Sequence, residues 1–430
     1  MTTPTRTRAQ HAAALPQPNA DRWPDVARVP RAPLRARAAW AVFTRAVRDL
    51  PLSVELPPTA ERPGTDGRLG AGGPVLRVHR PAAFAARLGT GGLVGFGESY
   101  LAGEWDADDP TAVLTVLAER LDGLVPPVLQ SLRRLVLPRR RLERHGTVEA
   151  ARRDVSAHYD LSNDLFAAWL DESMTYSAAL FDTDPAGRPV AAPELLTAAQ
   201  HRKIDRLLDA TGVGPGVRVL EIGTGWGELA LRAAARGADV VSLTLSHQQR
   251  DLARQRIARA GLADRVAVEL SDYREVRGRY DVILSVEMIE AVGYRYWPVY
   301  FRTLDERLAP GGRIGLQAIT MPHERMLRAR DTFTFIDKYV FPGGQLVSTE
   351  AVDQHLAATS LRVTDRLSMG AHYAETLRLW REAFTAAAPA IDAQGFDETF
   401  RRMWTLYLAY SEAGFRSGFL DTYQLLIERP

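Results

Sequence analysis

The sequence predicts an α/β protein: a doubly wound parallel sheet, with a small α+β domain before it and a mostly helical segment after its last strand. Three observations lead there. From Val217 to Ile319, apolar strand-like runs alternate with helical patterns. The first run, Val217–Ile222, opens directly into Gly223-Thr224-Gly225-Trp226-Gly227 and then the helical pattern Leu229, Ala230, Leu231, Ala233, Ala234. With 430 residues the chain is too long for one average domain and comfortable for two.

Bulk properties narrow the function classes. Hydrophobic residues at 46% and charged residues at 25% describe a globular chain without a run long and apolar enough for a membrane span. The absence of cysteine excludes disulfides, zinc–thiolate sites and a thiol nucleophile, and no metal site is expected. A net charge of +2 gives no argument for a nucleic-acid partner. Residues 1–21 are polar, carry Pro and Arg, and lack the apolar core of a secretion signal, so a disordered tail and a cytoplasmic location are expected.

Residues 22–140 read as the small α+β domain. An Ala/Arg-rich helical pattern covers Leu34 to Leu50, and short strand-like pieces follow at Leu52–Leu56, Val75–His79 and Gly95–Tyr100. Pro63 to Gly73 is a loop signal, and Pro110 to Leu124 has a helical pattern. Arg133, Arg134, Arg139, Arg140, Arg141, Arg144, Arg152 and Arg153 crowd a connection whose core, 141–155, reads as a basic linker. It is either a solvated face or a contact for an anionic phospholipid surface. Residues 156–430 form the second domain. A helix at His201–Leu208 leads to strands at Val217–Ile222, Val240–Leu245, Val266–Leu270, Val282–Val286 and Arg313–Ile319, and beyond Pro322 the pattern is helical and rich in aromatics.

In a doubly wound sheet, ligands sit beyond the carboxyl ends of the strands. Glu221, ending the first strand, can accept from the ammonium of a bound amino acid. Gly223, Gly225 and Gly227 allow a sharp turn and a close backbone approach. Their G-x-G-x-G spacing differs from the G-x-G-x-x-G of a pyrophosphate binder and suits an uncharged sugar and a zwitterion. Thr244, Ser246 and Gln249 follow the second strand. Asp272 and Tyr273 follow the third, a carboxylate for an adenine amino group beside a ring to stack on it. Singly, each could be a cap or a loop residue.

The glycine stretch resembles motif I of the S-adenosylmethionine-dependent methyltransferases. The run His158-Tyr159-Asp160-Leu161-Ser162-Asn163-Asp164-Leu165-Phe166, then Met174-Thr175-Tyr176-Ser177, resembles the opening segment of the cyclopropane fatty acid synthases. Thr244-Leu245-Ser246 with Gln249, Glu287 to Gly293, Lys338 to Gly344, and His372-Tyr373 with Thr376-Leu377 resemble the same family. Asp21 to Pro24, Gly95 to Tyr100 and Tyr410 to Gly418 are further similar to the actinobacterial methyltransferases of tuberculostearic acid synthesis. The resemblance implies a Rossmann-like domain with a helical substrate cap, S-adenosylmethionine as cofactor, and closure over it by Tyr176 and Ser177. It implies as acceptor a double bond in a phospholipid acyl chain at the inner face of the membrane, with lipid or assembly contacts from the N-terminal domain. Some of Phe333, Phe335, Tyr339 and Phe341 would line an acyl tunnel. The implied product is a 10-methylene branch on an oleoyl chain, reduced by a separate enzyme to 10-methylstearate; a homo-oligomer is compatible with it.

The ring-forming relatives hold bicarbonate as base with a Cys, a Glu, a His and a Tyr. Here the Glu matches Glu290 and the Tyr matches Tyr373, whereas the Cys position is Ala178 and the His position is Gln317. Ala178 has no side-chain donor and Gln317 is never charged, so the resemblance does not carry bicarbonate over. A protein carboxylate is the alternative base. Glu287, a glycine in some ring-forming relatives, is one candidate and Glu149 another; the plain alternative for Glu287 is a solvated acid. A cyclopropane synthase and a non-catalytic lipid-binding relative remain the competing readings.

Overall fold

The computed structural model describes residues 17–58, 67–120, 162–330 and 332–429. The chain divides into two compact units, Met1–Leu137 with Gly395–Leu406, and Pro138–Gln394 with Tyr407–Pro430. Most of the arginine-rich connection, with Glu149 and His158–Leu161, lies outside the described residues, as does nearly all of the N-terminal tail. Asn19 already organises a turn, accepting from the Asp21 and Arg22 amides.

The first unit holds a four-stranded sheet in the order β2–β1–β3–β4, from β1 (Ser53–Leu56), β2 (Gly67–Leu69), β3 (Val75–Val78) and β4 (Trp105–Ala107). Helices Pro33–Val47, Pro81–Gly91, Leu93–Leu101 and Pro110–Glu119 complete it. Gly95–Tyr100, expected as a strand, belongs to the helix Leu93–Leu101. Its glycines report close packing, not extension: a Cβ on Gly95 would stand 2.0 Å from the Arg87 carbonyl oxygen. Part of the expected loop at 63–73 is strand β2. The segment Gly395–Leu406, expected in the second domain, belongs to this unit. Arg402 donates to the Tyr100 carbonyl at 2.8 Å and lies over the Tyr100 ring, and Asp397 accepts from the Trp23 indole at 2.8 Å.

The second unit is built on a seven-stranded sheet in the order β10–β11–β9–β8–β5–β6–β7. Its strands are β5 (Arg218–Ile222), β6 (Asp239–Thr244), β7 (Val266–Leu270), β8 (Tyr280–Val286), β9 (Leu308–Thr320), β10 (Arg362–Ser368) and β11 (Asp421–Glu428). Strands β5 to β9 are parallel, as expected. Strands β10 and β11, read as helical territory, add an antiparallel pairing of β11 on β9. Polar Thr422 and Gln424 occupy buried alternate positions of β11, which hides its apolar rhythm. Two apolar clusters cover the sheet. Val219, Val240, Val282 and Leu284 pack with helices Leu196–Thr211, Glu228–Ala235 and His247–Arg259, whereas Leu220, Leu243 and Ile283 pack with Trp297–Arg307 and Thr349–Leu356. Consecutive strand residues go to opposite clusters, the two-residue alternation of a sheet covered on both faces. Winding reverses between β5 and β8, so the carboxyl ends of these two strands flank the switch point. No helix among the described residues is long and apolar enough to cross a membrane.

Candidate active site

The turn after β5 carries the glycines. Gly223, Gly225 and Gly227 all have positive φ, and at Gly225 (φ 52°) a Cβ would point into open space. Backbone there is bare toward the switch point, as a bound nucleoside needs. Glu221 is buried, and its only resolved electrostatic influences are desolvation and a hydrogen bond from the Ser242 hydroxyl. Burial pushes its carboxyl up to about 8. A ligand ammonium would supply the missing positive charge, so this end of the site fits an amino-acid-bearing cofactor.

The next two strand ends are more self-contained. Thr244 donates to Gln249 Oε1 at 2.9 Å, and Ser246 caps the helix His247–Arg259 through the Gln249 amide at 3.3 Å. Asp272, expected to await an adenine amino group, is bound by Arg274 through both oxygens, at 2.7 and 2.8 Å. Tyr273 lies edge-on to Tyr300 at 5.3 Å, and its hydroxyl has no partner among the described residues.

Tyr176 and Ser177 belong to a segment braced from one helix. The Tyr176 ring packs against Phe166, Trp169, Trp380 and Phe341, and its hydroxyl meets that of Tyr407 at 2.8 Å. Gln200 donates to the Ser177 carbonyl at 2.9 Å, and the buried Lys203 ammonium donates to the Ser177 hydroxyl at 2.6 Å. Burial pushes Lys203 down to about 8 against the attraction of Glu287 and Asp171. From the opposite side, the helix Gly370–Ala386 offers Thr376 to the Ala179 amide (3.1 Å) and His372 Nδ1 to the Phe181 amide (3.2 Å).

Beyond β8 lies a pair of part-buried carboxylates, Glu287 and Glu290. Glu287 Oε1 accepts from the Ala178 amide at 2.9 Å and from Gln317 Nε2 at 2.9 Å, and Oε2 accepts from the Tyr373 hydroxyl at 2.7 Å. Desolvation raises its carboxyl, and the three donors with the Lys203 charge pull it back. Glu287 adopts a left-handed backbone (φ 50°); with Ser162 (98°) and Met174 (55°) it is one of three non-glycine residues with positive φ among the described residues. All three sit in the segments that build this site, where backbone strain tends to collect. Glu290 is the less supported neighbour. Its Oε1 accepts from the Ile319 amide at 2.6 Å, its Oε2 has no partner among the described residues, and burial with repulsion from Glu287 lifts it to about 8. Tyr373 is raised well above its ordinary value by burial and the facing carboxylates, and so stays a hydrogen-bond donor.

Of the residues read from the sequence, Glu287, Gln317 and Tyr373 are brought into direct contact, together with the backbone of Ala178. Glu290 couples to this group through charge. Residues missed are Gln200, Lys203 and Gln424, the last donating to Gln317 Oε1 at 3.0 Å. Two of them carried a signal: Gln200 and Lys203 interrupt the buried stripe Leu196, Ala199, Ile204, Leu207, Leu208.

Against known proteins, residues 147–425 match the model of the mycolic acid cyclopropane synthetase family. The chain is 54% identical over 419 residues, 96% of each chain, to the tuberculostearic acid methyltransferase UfaA1 of Mycobacterium tuberculosis. It is 34% identical to the cyclopropane-fatty-acyl-phospholipid synthase of Escherichia coli, over 82% of this chain and 87% of that one. Among solved structures, it resembles mycolic acid cyclopropane synthase CmaA1 complexed with SAH and CTAB, with a TM-score of 0.58, 31% identity, and coverage of 65% of this chain and 98% of the other. The cyclopropane synthase MmaA2 from Mycobacterium tuberculosis gives a TM-score of 0.58 and 32% identity, over 64% of this chain and 97% of that one.

Proposed function

The chain belongs to the mycolic acid cyclopropane synthetase family of S-adenosylmethionine-dependent methyltransferases, and on that premise we propose that it adds a one-carbon unit to the double bond of an oleoyl phospholipid to leave a 10-methylene branch. The observation that carries the choice of product is the Glu287 carboxylate, held by the Ala178 amide, the Gln317 amide and the Tyr373 hydroxyl. These are three of the four positions at which the ring-forming relatives hold bicarbonate. With those donors already engaged, the residues present do not fit that ion. The 54% identity to UfaA1 along nearly the full length supports the same reading.

When bound, S-adenosylmethionine supplies an electrophilic methyl group. Glu221 would hold its ammonium, the Gly223–Gly227 turn would admit its sugar, and Tyr176 and Ser177 would close over the sulfonium end. Transfer of that methyl to one alkene carbon, with S-adenosylhomocysteine as the leaving group, would leave the second alkene carbon cationic. A hydride shift from the methylated carbon moves the charge next to the new methyl. Loss of a methyl proton then gives the exocyclic methylene. Without the shift, the same loss would close a ring.

Glu287 is the base in this scheme. Three of the four acceptor positions of its carboxylate are filled, leaving one on Oε2 for the departing proton. Burial and repulsion from Glu287 lift the neighbouring Glu290, so Glu287, with more donors and the Lys203 charge, is the member of the pair better able to hold a negative charge. Phe166, Trp169, Phe341 and Trp380 pack around Tyr176 and make its surroundings apolar, which would help keep water from the reacting carbons.

Peripheral binding at the inner face of the membrane belongs to this proposal. Between Val26 and Arg48 the first unit carries Arg28, Arg31, Arg35, Arg37, Arg45 and Arg48, all exposed, and no acidic residue. Arg31 and Arg37 line an apolar groove with Val29, Pro33, Trp40 and Pro81, a combination suited to an anionic lipid surface. A separate reductase would saturate the methylene.

Purified protein incubated with S-adenosylmethionine and dioleoyl phospholipid, followed by mass spectrometry of the released fatty acids, tests the reaction. A methylene-branched product is expected; a cyclopropane alone would replace this reading with ring formation, and cofactor binding without turnover would favour a lipid-binding relative.

A further inference from the structure

We propose that Gln424 is a positioning residue, set by Arg206, that holds the Gln317 amide with its NH2 group turned toward Glu287; the proposal rests on the reading of Glu287 as the base. Gln424 on β11 stands opposite Gln317 on β9 in the antiparallel register, and both side chains are buried. A carboxamide looks the same either way round, so its orientation is decided by its partners. Here both ends are decided. Arg206 donates from a guanidinium nitrogen to Gln424 Oε1 at 2.9 Å, and a guanidinium cannot accept, so the oxygen of Gln424 must face it. Gln424 Nε2 donates to the Lys203 carbonyl at 2.9 Å, and a backbone carbonyl cannot donate, so the nitrogen must face there.

That same nitrogen donates to Gln317 Oε1 at 3.0 Å, which leaves Gln317 Nε2 on Glu287 Oε1 at 2.9 Å. Turning Gln317 over would set two NH2 groups against each other and a carbonyl oxygen against a carboxylate. The donor on the base is therefore fixed by a residue two hydrogen bonds further away. Arg206 is only partly buried, and its other guanidinium nitrogen is paired with Asp365 at 2.8 Å. The remaining charged or titratable groups around Glu287 are Lys203 from the helix Leu196–Thr211, Tyr373 from the helix Gly370–Ala386, and Glu290 on its own segment. Asp171 acts on Lys203, and Tyr407 acts on Tyr373.

An oriented donor favours the ionised base, so its loss makes Glu287 harder to ionise. The test is the single-turnover methylation rate against pH for the wild type, Gln424→Met and Arg206→Met, with the affinity for S-adenosylhomocysteine measured alongside. The acid limb of Gln424→Met is expected to move up by about one pH unit, the worth of one hydrogen bond to a charged group. Arg206→Met should move it less, in the same direction, with cofactor affinity unchanged in both. Should Gln424→Met fail to fold, Arg206→Met, altered at a partly exposed site, decides alone. Uniformly slower rates with an unmoved acid limb would overturn the positioning role. A Glu287→Gln variant that keeps the wild-type acid limb would instead overturn the reading of the base; loss of that limb in Glu287→Gln with no movement in the other two variants sinks the positioning role only.

Discussion

Glu221 lies at the carboxyl end of β5 and Glu287 just after the neighbouring β8, and desolvation raises both carboxyls. They differ in what surrounds them. Among the described residues, Glu221 has the Ser242 hydroxyl as its one hydrogen-bonding influence and no charged side chain acting on it, whereas Glu287 has three donors and the Lys203 charge nearby. A buried carboxylate short of partners is a place for a ligand's positive charge. One that is nearly saturated, with a single acceptor position left, suits a proton. The contrast assigns the first to holding the donor of the methyl group and the second to deciding what becomes of it.

The sharpest way to break the contrast is to neutralise each acid in turn. Glu287→Gln should lower the turnover rate by about 10²–10⁴-fold, the usual worth of a positioned base, with affinity for S-adenosylmethionine unchanged. Glu287→Gly would relieve the positive φ and open the three donors to a small anion. Its activity should return in part on adding bicarbonate or acetate, read in the same assay.

Glu221→Gln should do the reverse, weakening cofactor binding by about 10–100-fold, as expected for one hydrogen bond to a charged group, measured by calorimetry. If both substitutions act on the same kinetic constant, the division between them is wrong. A smaller effect is expected at the turn. Gly225→Ala and Gly261→Ala both place a Cβ at positive φ into open space, and each should cost about 1 kcal/mol of stability in a denaturation series. Only Gly225→Ala should also weaken the cofactor.

The two sites were not equally legible in the sequence. Glu221 and its glycines are consecutive, and local turn chemistry is enough to read them. The cradle of Glu287 is assembled from residues 178, 317 and 373 by strand register and a distant helix, so sequence supplied candidates but no contacts. Gln424 was invisible for a related reason. It sits on a strand that polar buried residues disguise, in a stretch dominated by helical pattern. The helix at Gly95–Tyr100 was misread because glycine there serves close packing, which local propensity reports as a break. The sequence offers Asp272 as a ligand group but does not show that Arg274, two residues on, engages both of its oxygens.

Stability should also depend on pH. The Glu221 and Glu290 carboxyls are raised in the folded protein from 4.5 to about 8. A raised carboxyl stabilises the fold fully below its unfolded value and loses that contribution as pH rises through the folded one. The melting temperature of the cofactor-free protein should therefore fall from mildly acid pH to above 8, less steeply in Glu290→Gln. A slope unchanged in that variant would remove Glu290 from the account.

The central claim, that a protein carboxylate has taken the place of a bound anion and with it the choice of product, is tested most directly in one reaction. Wild-type enzyme, S-adenosylmethionine and oleoyl phospholipid are combined in buffer stripped of carbon dioxide and again with bicarbonate added, and rate and product are measured in both. Equal rates and a methylene-branched chain are expected in each. A rate that rises with bicarbonate, accompanied by a cyclopropane product, would contradict it.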